Sequence, residues 1–558
     1  MKRTILGLLA TIATMPLITY GRDVIHYVVP AGTDGNTPAA PYTSWETAAN
    51  DLADVLESSD VRDTILVAPG TYSIDSTIDI ANSKTSLRIE SFNRETGEQD
   101  PEHTILDGGG TTAIMALRQQ YAHVSGFTFA NGYNASDTYT DSAASAAVTF
   151  YGNQPTVSNC IFKCNKSVNV VGTCLYSNGK AQAVVADCKF LCNTQEVTVA
   201  GDYAVKGSAV YIALASDNAD NYASLSGCTF SGNVGKGPKA QGSTVALPNG
   251  RTVIDNCNFY TNSFTQTDSA RDTSGAYLYF GINTTMRNCR VSCEGFGNSG
   301  GRYLYGSVLN AGNNFLCSNC TFSAISETAG SNMYGTICVN GDSISFVDCR
   351  FTDNTLNSSA LFFINNKGDE LFRNCLFAGN KRGRSSVRMI QANGATTTKT
   401  TRFSVENCTF ADNTDNYALI TLAPGNTAYS CNLVNSVFST GSVLSAAANN
   451  ASLSARNCCF AASPANVTDG GGNIIKTVSE MKFVDAANGD WHLQDRSPLR
   501  EGGTVLPWMT SDATDLDGNP RILSKYGKPL SYDTSALPDI GCYECTIALI
   551  PGLAIVIR

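Results

Sequence analysis

Histidine is scarce in this 558-residue chain: His26, His103, His123 and His492 are the four copies. None lies at metal-ligand spacing from another, so no histidine-built metal centre can be read from the sequence. Long stretches of good helix formers are missing, which sets a helical architecture aside. No apolar run in the body of the chain approaches the roughly twenty residues a membrane-crossing helix needs. Ile547 to Ile557 is apolar but interrupted by Pro551-Gly552, and reads as a final hairpin or cap. Basic residues are outnumbered, 38 Lys and Arg against 48 Asp and Glu. A net charge of -10 argues against a nucleic-acid partner.

What the chain does have is a repeat. Asn159-Cys160-Ile161-Phe162 returns as Asp187-Cys188-Lys189-Phe190, Gly227-Cys228-Thr229-Phe230 and Asn256-Cys257-Asn258-Phe259. The cysteine place continues at Cys289, Cys320, Cys349, Cys375, Cys408, Ser436 and Cys458. Successive gaps are 28, 40, 29, 32, 31, 29, 26, 33, 28 and 22 residues. Such a period means a solenoid of stacked supersecondary units. Cysteine and phenylalanine two residues apart share a face only in a strand, because side chains alternate there. A second element precedes each later tetrapeptide: Gly207-Ser-Ala-Val210, Gly242-Ser-Thr-Val245, Gly275-Ala-Tyr-Leu278 and Gly306-Ser-Val-Leu309 are examples. Each coil therefore carries at least two strands. Parallel stacking of such coils gives an all-β fold, a parallel β-helix.

The repeat explains its own residues. Equivalent positions stand one strand spacing apart, roughly 4.8 Å. Phe at 129, 162, 190, 230, 259, 322, 351, 377, 410, 438 and 460 should then form one stacked column, with Val291 its exception. Asn165, Asn193, Asn233, Asn262, Asn354, Asn380 and Asn413 fit an internal amide ladder at a turn, where Asn also tolerates left-handed backbone. Ten of the twenty cysteines hold the inward column position, where a thiol behaves as a small hydrophobe. Buried free thiols are the expectation there, although vertical neighbours stand close enough to oxidise. Cys164 with Cys192, Cys458 with Cys459, and Cys542 with Cys545 are left open.

These Phe-x-x-Asn repeats, with a Gly-small-x-aliphatic element between them, resemble the repeats of polymorphic outer-membrane proteins. More broadly the chain resembles bacterial right-handed parallel β-helix proteins of the pectate-lyase-like superfamily. Tyr27-Val-Val-Pro-Ala-Gly-Thr-Asp-Gly35, Asp63-Thr-Ile-Leu-Val-Ala-Pro-Gly-Thr-Tyr72 and Thr104-Ile-Leu-Asp-Gly108 carry that likeness at the start. At the close, Asp490-Trp-His-Leu-Gln-Asp-Arg-Ser-Pro498, Asp515-Leu-Asp-Gly-Asn-Pro520 and Asp539-Ile-Gly-Cys-Tyr-Glu544 resemble surface β-helix proteins with a choice-of-anchor C-terminal region. The resemblance implies a right-handed helix and an exported chain, extracellular or associated with the outer membrane.

The expected organisation is a secretory signal over 1–21, an N-terminal cap and first coils over 22–110, and β-helix repeats over 111–475. A C-terminal cap region over 476–545 and an apolar tail over 546–558 follow. Lys2 and Arg3 ahead of an apolar run from Ile5 carry the signal reading, and their removal takes the charge from -10 to -12. No other membrane-crossing segment is expected. Ser44 could cap a helix that starts at Trp45 and runs from Glu46 to Leu56, covering the first coil. The segment from Lys482 to Cys545 should cover the other end.

Polysaccharide-cleaving β-helices set the chemistry to look for. Asn413-Thr414-Asp415 matches the first motif of polygalacturonases, but no adjacent Asp-Asp, Gly-His-Gly or Arg-x-Lys occurs. A lyase would need a Lys or Arg base near calcium-binding carboxylates. Arg271-Asp272 and the loop Lys381-Arg382-Gly383-Arg384 are the loose candidates. No catalytic residue, metal ligand or cofactor is assigned. Cys542-x-x-Cys545 lacks two further ligands nearby, and Asp515-Leu-Asp-Gly-Asn519 reads as a turn rather than a calcium loop. The binding candidates are Tyr176, Tyr211, Tyr277 and Tyr279, near the recurring Gly and expected to point outward from one sheet, where exposed rings hold sugar faces. A second candidate is the insertion around Asp217, Asn218, Asp220 and Asn221. The expected function is a non-catalytic surface protein for adhesion or glycan binding, with a polysaccharide or cell-surface glycan as partner. The alternative is a polysaccharide lyase or glycoside hydrolase acting on an acidic polysaccharide.

Overall fold

A computed structural model describes residues 23–547, leaving out 143, 181, 216–220, 296–302, 329–331, 367, 384–386, 395–400, 414–418, 424–428, 440–443, 447–450, 466 and 524–534. The signal segment, Thr414-Asp415, Arg384, Asp217, Asn218, Asp220 and nearly all of the apolar tail lie outside the described residues. The chain winds into a right-handed parallel β-helix built on three long sheets of 16, 15 and 14 strands. The first runs from Ile25–Val28 to Thr468–Asp469, the second from Gly70–Ser73 to Ile474–Ile475, and the third from Ile78–Ile80 to Leu444–Ala446. One coil contributes Thr156–Ser158, Ile161–Lys163 and Leu175–Lys180 to the three in turn. The strand of the first sheet is the one the repeat did not announce.

Inside the coils the expected columns form. Phe162, Phe190, Phe230 and Phe259 stack at 4.8 Å between successive ring centroids. Val291 interrupts the column, which resumes from Phe322 through Phe351, Phe377, Phe410 and Phe438 to Phe460. The amide ladder is internal: Asn193 Nδ2 donates to Asn233 Oδ1 at 2.9 Å and to Phe162 O at 3.0 Å. Left-handed backbone, however, belongs to the residues before these columns rather than to the ladder asparagines. Asn159, Asp187, Asn256 and Asn288, each ahead of a column cysteine, have φ of 49–56°. A second corner falls at Cys164, Cys192 and Thr261, one residue ahead of the ladder.

All twenty cysteines are unpaired, eighteen of them buried. Column thiols donate to the carbonyl two residues earlier, as Cys188 Sγ does to Ala186 O at 3.2 Å. The only groups of three or more His, Cys, Asp and Glu that could hold a metal would have to lie outside the described residues.

Both ends differ from expectation in detail. The N-terminal helix is Leu52–Ser58, capped by Asp51, whose Oδ1 accepts from Ala53 N at 2.7 Å. The stretch expected to open it is taken by strand pairing instead: Ala49 N donates to Tyr27 O and Val29 N to Ala49 O, both at 2.9 Å. Leu52, Val55 and Leu56 close the first coil. At the other end, the described residues between Met481 and Cys545 pack along the flank of the last coils instead of lying only across their end. Trp491, Leu499, Ile540 and Cys542 pack on Leu376, Ala378, Ala411 and Val437, which face outward from the second sheet. Small and aliphatic residues at those outward positions leave an apolar surface that the returning chain covers.

Candidate functional site

In the central coils the chain between the second and third sheets is long enough to form an outer layer. Tyr133–Thr140, Lys166–Val170, Thr194–Glu196, Val234–Gly237 and Ser263–Gln266 make a five-stranded side sheet. Ala204–Val205 pairs with Lys239–Ala240 beside it. This layer decides the fate of the tyrosines singled out by spacing. Tyr176 and Tyr211 do stack, 5.7 Å apart and 10° from parallel, but they are only 3% and 6% exposed. They pack with Val171, Ala213 and Ala246 beneath Tyr139. Tyr277 is buried in the main core, and Tyr279 is half-buried. The expected exposure of these rings is therefore wrong.

The recurring glycine is part of the reason. At Gly242, with φ of 73°, a Cβ would stand 2.4 Å from Val245 O and 2.8 Å from Tyr279 Cβ. The chain bends tightly over the outward column there, and only glycine fits that approach.

Above this floor the layer presents rings that spacing did not single out. Tyr139 and Tyr203 stack at 4.6 Å, 21° from parallel. Tyr203 is 38% exposed, while the Tyr139 hydroxyl donates to Ala204 O at 2.8 Å. Burial pushes the Tyr139 pKa up, so its hydroxyl stays a neutral donor. The pair forms one wall of an open cleft of about 370 Å³ lined also by Asp141, Asp202, Lys206, Lys239 and Gln241.

Charges in the cleft come paired. Lys206 Nζ lies 3.0 Å from Asp141 Oδ2, and Lys239 Nζ 2.9 Å from Asp202 Oδ1. Arg271 reaches Asp202 at 3.4 Å and Asp268 at 3.1 Å. The hydrogen bond from Lys239, with the charge of Arg271, lowers the pKa of Asp202. Asp141 keeps one oxygen, Oδ1, that takes no hydrogen bond. The buried Tyr176 hydroxyl donates to the Asp141 carbonyl, so the spacing-derived tyrosine supports the cleft from below.

Arg271 links this cleft to a second group of rings on the following coils. Asp272 Oδ1 accepts from Tyr303 N at 3.1 Å. Tyr303 lies 5.4 Å from Tyr334, which stacks on Tyr305 at 5.1 Å. Tyr303 is 38% exposed. The result is a strip along the outer layer: a stacked tyrosine pair, paired charges, then three more tyrosines. Its members are far apart in sequence, Asp141 and Lys206 standing 65 positions apart.

Two other depressions lack this combination. One beside the N-terminal helix gathers Asp51, Glu57, Asp75, Asp79 and Lys84 without an aromatic ring. A groove on the second sheet is lined by Glu102, Asp107, Lys163, Cys164 and Lys189, again without a ring. The candidate basic loop contributes Lys381–Arg382 to a four-stranded edge sheet.

The C-terminal region holds a further cluster. His492 Nδ1 meets Asp490 Oδ1 at 2.5 Å and Nε2 meets Asp517 Oδ2 at 2.6 Å. Arg350 of the β-helix binds Asp517 Oδ1 at 2.7 Å and Leu516 O at 2.8 Å. Asp515 forms a turn, its oxygens accepting from the N–H groups of Asp517, Asn519 and Glu544. Arg350 is the member contributed by the coils; His492, Asp490, Asp515 and Asp517 all belong to the returning chain.

No family model matches the chain, and no curated protein sequence matches it. Among solved structures it is similar to the crystal structure of pectate lyase Pel9A, with 14% identity and a TM-score of 0.27 over 93% of this chain and 96% of that one. At that distance the likeness assigns no residue's role.

Proposed function

We propose that this chain is a surface-displayed glycan-binding β-helix, and that the strip from Tyr139 to Tyr334 is where the glycan lies. The observation that carries the reading is the exposed Tyr203 ring, stacked on the partly buried Tyr139, beside Asp141, Asp202, Lys206 and Lys239. Sugar rings lay their C–H faces on aromatic faces, while their hydroxyls exchange hydrogen bonds with carboxylates and ammonium groups. The cations are each held by a carboxylate, and the chain carries a net charge of -10. Both features favour a neutral glycan over a polyanion. Export to the cell surface belongs to the same proposal, supported by the resemblance of the repeats to polymorphic outer-membrane proteins and of the C-terminal motifs to a choice-of-anchor region.

A lyase or hydrolase is the second reading. What favours it is Arg271 and Lys239 meeting on Asp202, the acid–base clustering that bond cleavage requires. Against it, both cations are already engaged in ion pairs with Asp202 and Asp268. The test is a panel of neutral and acidic polysaccharides, scored for release of reducing ends and for retention of the protein. Retention on a neutral polysaccharide without release supports the binding reading. Release that survives repurification overturns it in favour of the enzyme.

A further inference from the structure

We propose that Cys164 and Cys192 close an inter-coil disulfide at the rim of the second-sheet groove. Of the twenty cysteines, these two alone are exposed. They occupy the same corner on consecutive coils, with φ of 57° and 56°, directly after the strands Ile161–Lys163 and Lys189–Leu191. Those strands pair in parallel with Lys163 opposite Leu191. The corners therefore stand one strand spacing apart, roughly 4.8 Å, inside the range of about 4.4–6.8 Å between Cα atoms that a disulfide spans.

The corner is locked on both sides. Cys164 N donates to Leu191 O at 3.1 Å, and Asn165 N to Asn193 Oδ1 at 3.0 Å. Above Cys192 the same corner is Gly232, where a Cβ would lie 3.4 Å from the Cys192 sulfur. The Cys192 sulfur thus points toward Gly232 and turns back about its Cα–Cβ bond to meet Cys164, and the glycine places no third thiol beside it.

The buried cysteine column is the internal control. It has the same vertical stacking, but its thiols are screened from solvent and bonded to carbonyls, as in Cys188 to Ala186 O and Cys228 to Ser226 O. Outside the column, burial pushes the thiol pKa of the enclosed Cys174 and Cys431 well up, which leaves these two groups inert as nucleophiles. Exposure and freedom from such bonds separate the proposed pair from the rest.

The chemistry is thiol–disulfide exchange with a small disulfide oxidant such as oxidised glutathione. One cysteine thiolate attacks the oxidant, forming a mixed disulfide and releasing one glutathione thiolate. The second cysteine thiolate attacks the protein sulfur of that mixed disulfide and releases the other. Two protein thiols lose two electrons and two protons, and one disulfide oxidant becomes two thiols. The bond staples the coils that floor the groove containing Lys163, Lys189 and Leu191.

The test uses the full chain, reduced, freed of reductant and incubated with oxidised glutathione without denaturant. Thiols reactive toward a small aromatic disulfide reagent should fall from two to none. The intact mass should fall by about two mass units, the two hydrogens lost on closing the bond. Peptide mapping should join Cys164 to Cys192. In Cys164→Ser or Cys192→Ser, the remaining thiol should keep one glutathione. Persistent glutathione on the wild-type chain, or two thiols still reactive after oxidation, would overturn the proposal.

Discussion

Arg521 and Glu544 meet at 3.0 Å with their side chains 0% and 1% exposed, deep beneath the returning C-terminal chain. Their contact is not aligned as a hydrogen bond, and the Arg521 guanidinium also donates to Gly541 O. Glu544 in turn accepts from Asp539 N, and Asp539 from Cys545 N at 2.7 Å and Glu501 N at 2.7 Å. One arginine thus ties together two acidic motifs that look separate in the sequence.

Removing that arginine strands buried carboxylates without a countercharge. Arg521→Ala should destabilise the C-terminal region by about 3–5 kcal/mol, the usual cost of breaking a buried pair from one side. Limited proteolysis should then release fragments from 476–545 while leaving the coils intact. A variant with wild-type resistance would contradict this account.

The same region should respond to pH. Burial raises the pKa of Asp539 to about 6, against the backbone N–H groups of Cys545 and Glu501, and raises Glu544 well above the usual carboxylate range. Burial works against charge on His492, but hydrogen bonds to Asp517 and Asp490 outweigh it and raise its pKa. All three groups bind protons more readily folded than unfolded. The stability from Asp539 is full below its unfolded value of 3.8 and fades as pH rises through about 6. That from His492 is full below 6.5 and fades as pH rises through its raised value. Thermal melting of the C-terminal region should therefore occur at higher temperature near pH 5 than near pH 8, by differential scanning calorimetry. A flat profile or the opposite order would refute the assignment.

Two kinds of asparagine should behave oppositely. Asn193 offers its side chain to Phe162 O and Asn233 and accepts from Asn165, so Asn193→Ala leaves buried groups unpaired, at a cost of about 1–3 kcal/mol. Asn256 instead supplies a left-handed corner, with φ of 52°. Gly227 occupies the same place on the coil before. Asn256→Gly should be nearly neutral, and Asn256→Val should cost about 1–2 kcal/mol. Urea unfolding of the three variants separates the roles.

The β-helix was legible because stacking makes the period visible: every Phe that supports its neighbour must recur at the coil length. Left-handed corners were half legible, since Asn marks them in many coils but Cys164, Cys192 and Thr261 fill the same need elsewhere. Tyr176 and Tyr211 misled because alternation tells which way a side chain points from a sheet, not what lies over it. The covering strands Tyr133–Thr140 and Lys166–Val170 carry no repeat of their own. Asp141, Asp202, Lys239 and Arg271 converge only through coil stacking, and no local spacing announces that. The helix expected at Trp45 failed because residues near Ala49 give their hydrogen bonds to the first strand. Arg521 was overlooked for a similar reason: its meaning depends on Glu544, 23 positions further along the chain.

The most direct measurement is the affinity of Tyr203→Ala and Tyr203→Phe for the neutral polysaccharide that retains the wild-type chain, by affinity electrophoresis. The account predicts a loss of about tenfold or more for Tyr203→Ala, about 1.4 kcal/mol of stacking, and near wild-type retention for Tyr203→Phe. Equal retention of all three proteins, with unchanged melting, would contradict the strip as the binding surface.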